Sequence, residues 1–118
     1  MFVLGNVVVK PSLDRTFKPD DYFAVYLQLY NVAVDQSSRQ PSFEVRYTIR
    51  QKGQTLLEAT DEKGESVQYF SPQRMVLIQR LPLSELAAGQ YEIEVAFTDR
   101  IRSEQVTSTE RFRITANP

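Results

Sequence analysis

The sequence predicts an all-β fold, a two-sheet antiparallel sandwich of about seven to nine strands. Three segments alternate apolar and polar residues along their whole length, which is the side-chain period of a strand with one buried face. Turn-forming residues interrupt the apolar runs roughly every 8–12 residues, as they do in sandwiches. Because no helical segment is present that would cover a parallel sheet, the sandwich is favoured, and a closed barrel is the alternative.

The three clearest strands are predicted at 22–31, 43–51 and 91–99, because residues two apart share one face of an extended chain. Burial contributes about 1.5–3 kcal/mol for each large apolar side chain, which is enough to form a core from such strands. The side chains expected inward are Phe23, Val25, Leu27 and Leu29 in the first strand, Phe43, Val45, Tyr47 and Ile49 in the second, and Tyr91, Ile93, Val95 and Phe97 in the third.

Weaker alternation predicts the remaining elements. Both faces of 74–81 carry apolar residues, so its inward face is left open. In the closing strand Phe112 and Ile114 are expected inward, and 83–86 is the only helix-like piece, one turn between two strands. The additional strands are predicted at 2–9, 55–60, 67–70, 74–81 and 105–115, with turn signals at Pro11, Gly53, Gly64 and Pro72.

The composition excludes several classes of function. The chain has 118 residues, which is one ordinary domain, and a net charge of -1, which provides no broad cationic surface for nucleic acid. It has no histidine and no cysteine, so it has no Ser-His-Asp triad, cysteine nucleophile, ordinary zinc site or disulfide. No apolar run approaches the roughly 20 residues that cross a bilayer. We expect no nucleic-acid partner, membrane insertion, cofactor or metal.

The predicted strands reach almost to both ends of the chain, from Phe2 to Thr115. Termini this tight are typical of a domain taken from a longer protein, so we expect 1–118 to be a single excised domain. The first residues lack the basic region and small-residue cleavage site of a signal peptide.

One local pattern refines the predicted fold. Gly89 lies in a turn that leads to Tyr91, the first residue of a strand. This placement resembles the tyrosine corner of immunoglobulin-like and fibronectin-III-like domains, in which the phenol bonds to backbone a few residues upstream. A core tyrosine at a strand end is the alternative.

Charged side chains are expected on the wet face of two neighbouring strands. Arg46 and Arg50, with Thr48 between them, point outward from 43–51, as Glu92 and Glu94 do from 91–99. Cross-strand Arg–Glu pairing accounts for these four charges. The two glutamates lie roughly 6–7 Å apart by strand geometry, which is near the carboxylate spacing of an inverting glycosidase and leaves a carboxylate-only hydrolase as an alternative.

Three tyrosines, Tyr22, Tyr26 and Tyr30, are expected in a line on the outward face of 22–31. Aromatic rows stack sugar rings in carbohydrate-binding modules, and they add contact area at protein interfaces. Three interpretations of this row remain: the rings are covered by other parts of the domain, they form a protein interface, or they form a glycan site.

The last hairpin loop places Ile101 between Arg100 and Arg102. Loops at the ends of sandwiches carry recognition, so an exposed apolar tip between two guanidinium groups suits a partner contact. The alternative is that Ile101 folds back onto the sheet edge. The acidic pairs 20–21 and 61–62 lack the spacing of a calcium loop and are expected to be solvated turn residues.

A family resemblance rests on three blocks of sequence, and it implies a context for the domain. They are Val9-Lys10-Pro11-Ser12, then Phe17-Lys18-Pro19-Asp20-Asp21 with 25–31, and then 88–95 with Thr98-Asp99-Arg100. In layout the chain resembles the β-sandwich module near the C-terminus of acidobacterial GWxTD-domain and von-Willebrand-A-related proteins. It departs from them in lacking a GWxTD sequence, any tryptophan and the von Willebrand metal motif. The resemblance implies a non-catalytic accessory module of a periplasmic or secreted bacterial protein, with no catalytic residues to transfer.

These observations predict a non-catalytic, immunoglobulin-like module for protein interaction or domain positioning. Its expected partners are other domains of the parent chain or another protein, and no small-molecule ligand is expected. The alternative is a carbohydrate-binding module that uses the tyrosine row.

Overall fold

Nine strands form two sheets in the computed structural model, which describes residues 5–9, 16–17, 22–71 and 73–115, with side chains from residue 24 onward. The strands are β1 (Gly5–Val9), β2 (Thr16–Phe17), β3 (Tyr22–Tyr30), β4 (Phe43–Gln51), β5 (Gln54–Asp61), β6 (Val67–Phe70), β7 (Arg74–Pro82), β8 (Gly89–Asp99) and β9 (Glu104–Ile114).

The order of strands identifies the type of sandwich. One sheet has the order β1-β3-β7-β6 and the other the order β2-β9-β8-β4-β5. Every pair is antiparallel except the short parallel pair of β2 with β9. If β1 and β2 are the two halves of a first strand, these are the ABED and GFC sheets of an immunoglobulin-like domain, with β5 added beside the C strand. The predicted fold class is confirmed.

The core lies between the two sheets and consists of the alternate side chains that the sequence predicts. Two ring pairs within the five-stranded sheet contribute to it: Phe43 and Phe97 stack with centroids 5.3 Å apart, and Tyr91 and Phe112 stack at 5.6 Å. Ile114 is also buried, as expected. The residues with 0% exposure include Val25, Leu27, Leu29, Val45, Tyr47, Ile49, Ile93, Val95 and Phe97. The side chain of Phe23 and residues 2–4 of the predicted opening strand lie outside the described residues.

The structure shows which face of β7 points into the core, a choice that the sequence leaves undecided. Met75, Leu77 and Leu81 point inward and are almost completely buried. The apolar residues of the other parity, Val76 and Ile78, lie on the outer face, and Val76 is nonetheless only 7% exposed. Both faces of this strand therefore contact other parts of the protein.

The single turn expected at 83–86 is present, since the amide of Leu86 donates to the carbonyl of Leu83, and both leucines are buried. Two local predictions need correction. Thr48 points outward yet is only 2% exposed, since its cross-strand neighbours Glu58 and Glu94 carry longer side chains on both sides of it. Two-residue β2 was not predicted, because so short a strand has no period.

The segment that leads into β8 has the tyrosine-corner geometry. The phenol of Tyr91 donates a hydrogen bond to the carbonyl of Ala87, four residues upstream. Gly89 has a φ of 152°, and a Cβ atom there would lie 3.0 Å from the side-chain amide of Gln51. The start of β8 therefore needs glycine for its backbone conformation, whereas the flexible Gln51 side chain could shift to accommodate a Cβ atom.

Replacing Tyr91 by phenylalanine removes this hydrogen bond and keeps the ring stack with Phe112. We expect Tyr91→Phe to lower the free energy of unfolding by about 1 kcal/mol, measured by urea denaturation. Tyr69→Phe is the matched control, because Tyr69 is 48% exposed and its hydroxyl meets solvent. Equal stability of the two variants would contradict a structural role for the Tyr91 hydroxyl.

The buried phenol of Tyr47 is in the opposite situation. Its hydroxyl is enclosed and has no hydrogen-bond partner among the described residues. Burial raises the pKa of Tyr47 well above its usual value, and the nearby Ser66 hydroxyl offsets part of this rise without reaching hydrogen-bond geometry. An enclosed polar group without a partner costs free energy in the folded state.

We therefore expect Tyr47→Phe to leave the free energy of unfolding unchanged or to raise it by up to about 1 kcal/mol. The same urea titration that measures Tyr91→Phe tests this. A loss of stability as large as that of Tyr91→Phe would show that the Tyr47 hydroxyl is hydrogen-bonded in solution.

Candidate functional site

Three loops meet at one end of the sandwich, which we call the loop end. They are residues 31–42 between β3 and β4, residues 62–66 between β5 and β6, and residues 100–103 between β8 and β9. The register brings them together, because Phe43 lies opposite Asp99 and Val45 lies opposite Asp61. Loops at this end of a sandwich of this type form binding surfaces in variable domains.

The hairpin between β8 and β9 is held by a buried carboxylate, Asp99. It has 0% exposure, and its Oδ1 accepts the amides of Ile101 at 3.0 Å and Arg102 at 3.1 Å. Its other oxygen accepts the amide of Ala33 at 3.2 Å. One side chain therefore shapes the hairpin tip and ties it to the loop between β3 and β4.

The loop between β5 and β6 is organised in the same way by Asp61, which the sequence had predicted to be a solvated turn residue. This carboxylate is only 7% exposed. It accepts backbone amides at 2.9 to 3.2 Å and the Ser66 hydroxyl. Burial alone raises the pKa of Asp61, but the hydrogen bonds from Ser66 and the backbone outweigh it, so the pKa lies below its usual value.

A third aspartate, Asp35, organises the exposed loop between β3 and β4. Its Oδ1 accepts the amides of Ser37 and Ser38 at 2.9 Å each, together with the Ser37 hydroxyl. The Ser37 hydroxyl and these amides lower the pKa of Asp35 to about 2. Each of the three loops thus has one aspartate that accepts its amides.

The hairpin tip presents Ile101 to solvent. Its exposure is 42%, so this residue does not fold back onto the sheet edge. Arg100 lies on one side, with its guanidinium 3.4 Å from Glu44 and its amide bonded to the carbonyl of Ser42. On the other side Arg102 donates to the carbonyl of Asn31. The two arginines fix the flanks of the tip and leave the apolar residue outward.

A cleft of about 360 Å³ lies between the other two loops of the loop end. Its wall includes Ser42, whose carbonyl bonds to the hairpin, and Lys63 from the loop that Asp61 organises. Apolar side chains of Phe43, Val67 and Phe70 also line it. The loop end therefore offers an exposed isoleucine on one loop and a small, partly apolar cleft between the other two.

The predicted tyrosine row is not an open aromatic surface. Tyr26 and Tyr30 point outward from β3 but are half-buried, and the side chain of Tyr22 lies outside the described residues. The more exposed ring on this sheet belongs to Tyr69 of β6, which the sequence did not single out, and the guanidinium of Arg74 lies 5.0 Å above it.

The two glutamates of β8 are both paired with arginine. Glu94 binds Arg50 at 3.3 Å, diagonally across the strand pair. Glu92 lies opposite Arg50 but contacts Arg111 of β9 at 3.9 Å, with its own side chain 49% exposed. A glycosidase acid needs a buried, apolar or like-charged setting, and this is a wet, ion-paired face.

Arg46 departs from the expected cross-strand ladder. Its neighbour on β8 is Ala96, which has no charge to offer, and its guanidinium instead contacts Glu44 on the same strand at 3.4 Å. Glu44 also binds Arg100, so this pair belongs to the loop end. Exposed pairs of this kind contribute at most about 1 kcal/mol each.

Within the described residues, no three acidic side chains converge as metal ligands, and no helix is long and apolar enough to cross a membrane. No protein-family model matches the sequence, and no curated protein is significantly similar to it.

The lowered pKa of Asp61 makes the stability of the domain depend on pH. Its ionised form is stabilised in the folded state, so its contribution is present above the unfolded pKa of about 3.9 and is lost as the pH falls through the lower folded pKa. We expect Asp61→Asn to cost about 2 kcal/mol at neutral pH, measured by urea denaturation. The difference from the native protein should shrink in acid.

Asp35→Asn is the matched control, because it removes the same charge from an exposed loop that bonds its amides in the same manner. It should cost less than Asp61→Asn at neutral pH. A difference between native protein and Asp61→Asn that stays constant down to the most acidic conditions would contradict the assignment.

Proposed function

We propose that this domain is a non-catalytic, immunoglobulin-like module that binds a protein partner through its loop end. The observation that carries the proposal is the hairpin tip, in which Ile101 is exposed while the backbone on both sides of it is hydrogen-bonded. An exposed apolar residue on a fixed backbone favours association, because little conformational freedom is lost when the partner binds.

The composition of the loop end suits a protein surface as the partner. A hot spot commonly has an apolar or arginine anchor in the centre and polar groups around it. Here the hairpin that carries Ile101 bonds through the Arg100 amide to Ser42 of the cleft wall. Charged side chains of both signs lie at this end, among them Arg100, Arg102, Glu44 and Glu62. We infer that the partner presents an apolar side chain or pocket with polar residues around it.

The same argument makes a carbohydrate the weaker candidate. Stacking on a sugar needs the open face of an aromatic ring. Tyr26 and Tyr30 are half-buried, and Arg74 covers one face of Tyr69. We retain glycan binding as the outcome that would replace the proposal.

The setting of the module is part of the proposal. Its support is the resemblance of segments such as 9–12 and 88–95 to the sandwich module of GWxTD-domain and von-Willebrand-A-related proteins. In that setting the domain serves as an accessory module of a periplasmic or secreted bacterial protein. Its partner is then another domain of the parent chain or a second envelope protein.

Ile101→Asp tests the proposal, because it places a charge at the centre of the inferred contact. Peptides selected from a displayed random library on the native domain should bind this variant at least about tenfold more weakly, measured by biolayer interferometry. Leu56→Asp is the matched control, since Leu56 is 40% exposed on β5 and lies outside the loop end. It should leave binding unchanged.

Two results would overturn the proposal. One is selected peptides that bind Ile101→Asp as tightly as the native domain. The other is a glycan array that shows sugar binding abolished by Tyr26→Ala while no peptide is enriched, which would identify a carbohydrate-binding module instead.

A further inference from the structure

A second concave surface lies at the end of the five-stranded sheet opposite the loop end. It is a groove of about 950 Å³ where β4 ends, β8 begins and β9 ends. We call it the basic groove, because its charged lining consists of four cationic side chains and one carboxylate: Arg50, Lys52, Arg111, Arg113 and Glu92. This local excess of positive charge contrasts with the net charge of -1 of the whole chain.

Part of the positive charge has no counterion within the described residues. Arg50 binds Glu94, and Arg111, whose side chain is 87% exposed, makes only a long contact of 3.9 Å with Glu92. Lys52 and Arg113 are exposed, and in the part of the chain that the structure describes neither has a carboxylate within ion-pair distance. An anionic group in the groove would therefore meet charges that are not already neutralised.

The backbone that carries these cations is rigid. Lys52 and Gly53 form the two-residue turn between β4 and β5, with φ of 51° and 79°, as a tight hairpin turn of the primed type requires. Arg111 and Arg113 are held in the ladder of β9 with β8. The base of the groove is also well packed, because the stacked rings of Tyr91 and Phe112 are buried there.

The arrangement of charges favours a particular kind of anion. Arg111 and Arg113 lie two residues apart on the same face of β9, so their stems are separated by roughly 6.5–7 Å, the distance between alternate side chains of an extended peptide. Glu92 interrupts the cations, which disfavours a densely charged polyanion such as nucleic acid. We propose that the basic groove binds an extended acidic peptide segment with carboxylates at alternate positions.

This second site is separate from the loop end and does not depend on the function proposed for it. One site would take an apolar contact and the other an acidic strand-like segment. A domain with both surfaces would hold two partners at opposite ends of one sheet.

The test uses a fluorescent decapeptide of alternating glutamate and threonine, with a glutamine–threonine decapeptide and an oligothymidylate of equal length as comparisons. Binding to the intact chain is measured by fluorescence anisotropy at about 0.15 M salt. We expect the acidic peptide to bind, and Lys52→Gln with Arg113→Gln to weaken it about fivefold to tenfold.

The control is Arg74→Gln with Arg80→Gln, which removes the same charge from exposed positions on β7, in the other sheet. It should change the affinity by less than about twofold, since these cations are remote from the groove and screened by salt. Equal weakening by both double variants would reduce the effect to net charge and overturn the proposal. Absence of peptide binding, or tighter binding of the oligothymidylate, would overturn it as well.

Discussion

The dry interface between the two sheets is the constraint on which the rest of the structure depends. Alternate side chains of β3, β4 and β8 fill it, and residues such as Val45, Tyr47 and Ile93 are completely buried there. Because strand side chains alternate, burial of one set fixes the other set outward. The charged face of β4 and β8, the loop end and the basic groove all occupy positions that this sorting leaves to solvent.

Two buried carboxylates fix the conformation of the loops, as the core fixes the strands. Asp99 and Asp61 each lie at the end of a strand, where the ladder stops and backbone amides lose their partners. Their oxygens accept those amides, so the chain can turn without leaving buried donors unpaired. The side chains that stabilise the loops therefore also set the shape of the surface at the loop end.

The sequence predicts the strands wherever apolar residues recur at every second position. It predicts the candidate site only in part. β4 and β6 have the predicted bounds, and Ile101 and Tyr91 were identified as notable. The role of Asp61 was missed, because an aspartate followed by polar residues looks like any solvated turn, although an aspartate at a strand end before a Gly-containing turn was the available signal. The basic groove could not be predicted, since it exists only in the register of β4, β8 and β9.

The continuous pairing of strand β8 affects how the domain would respond to a pulling force. It runs without interruption from Gly89 at the groove to Asp99 at the loop end, between β4 and β9 on either side. Its ladder hydrogen bonds lie perpendicular to its length. A force pulling two bound partners apart along this axis would load many of those bonds in shear at the same moment, instead of opening them one after another. The pairing of β8 with both neighbours would therefore resist tension applied between the two ends of this strand.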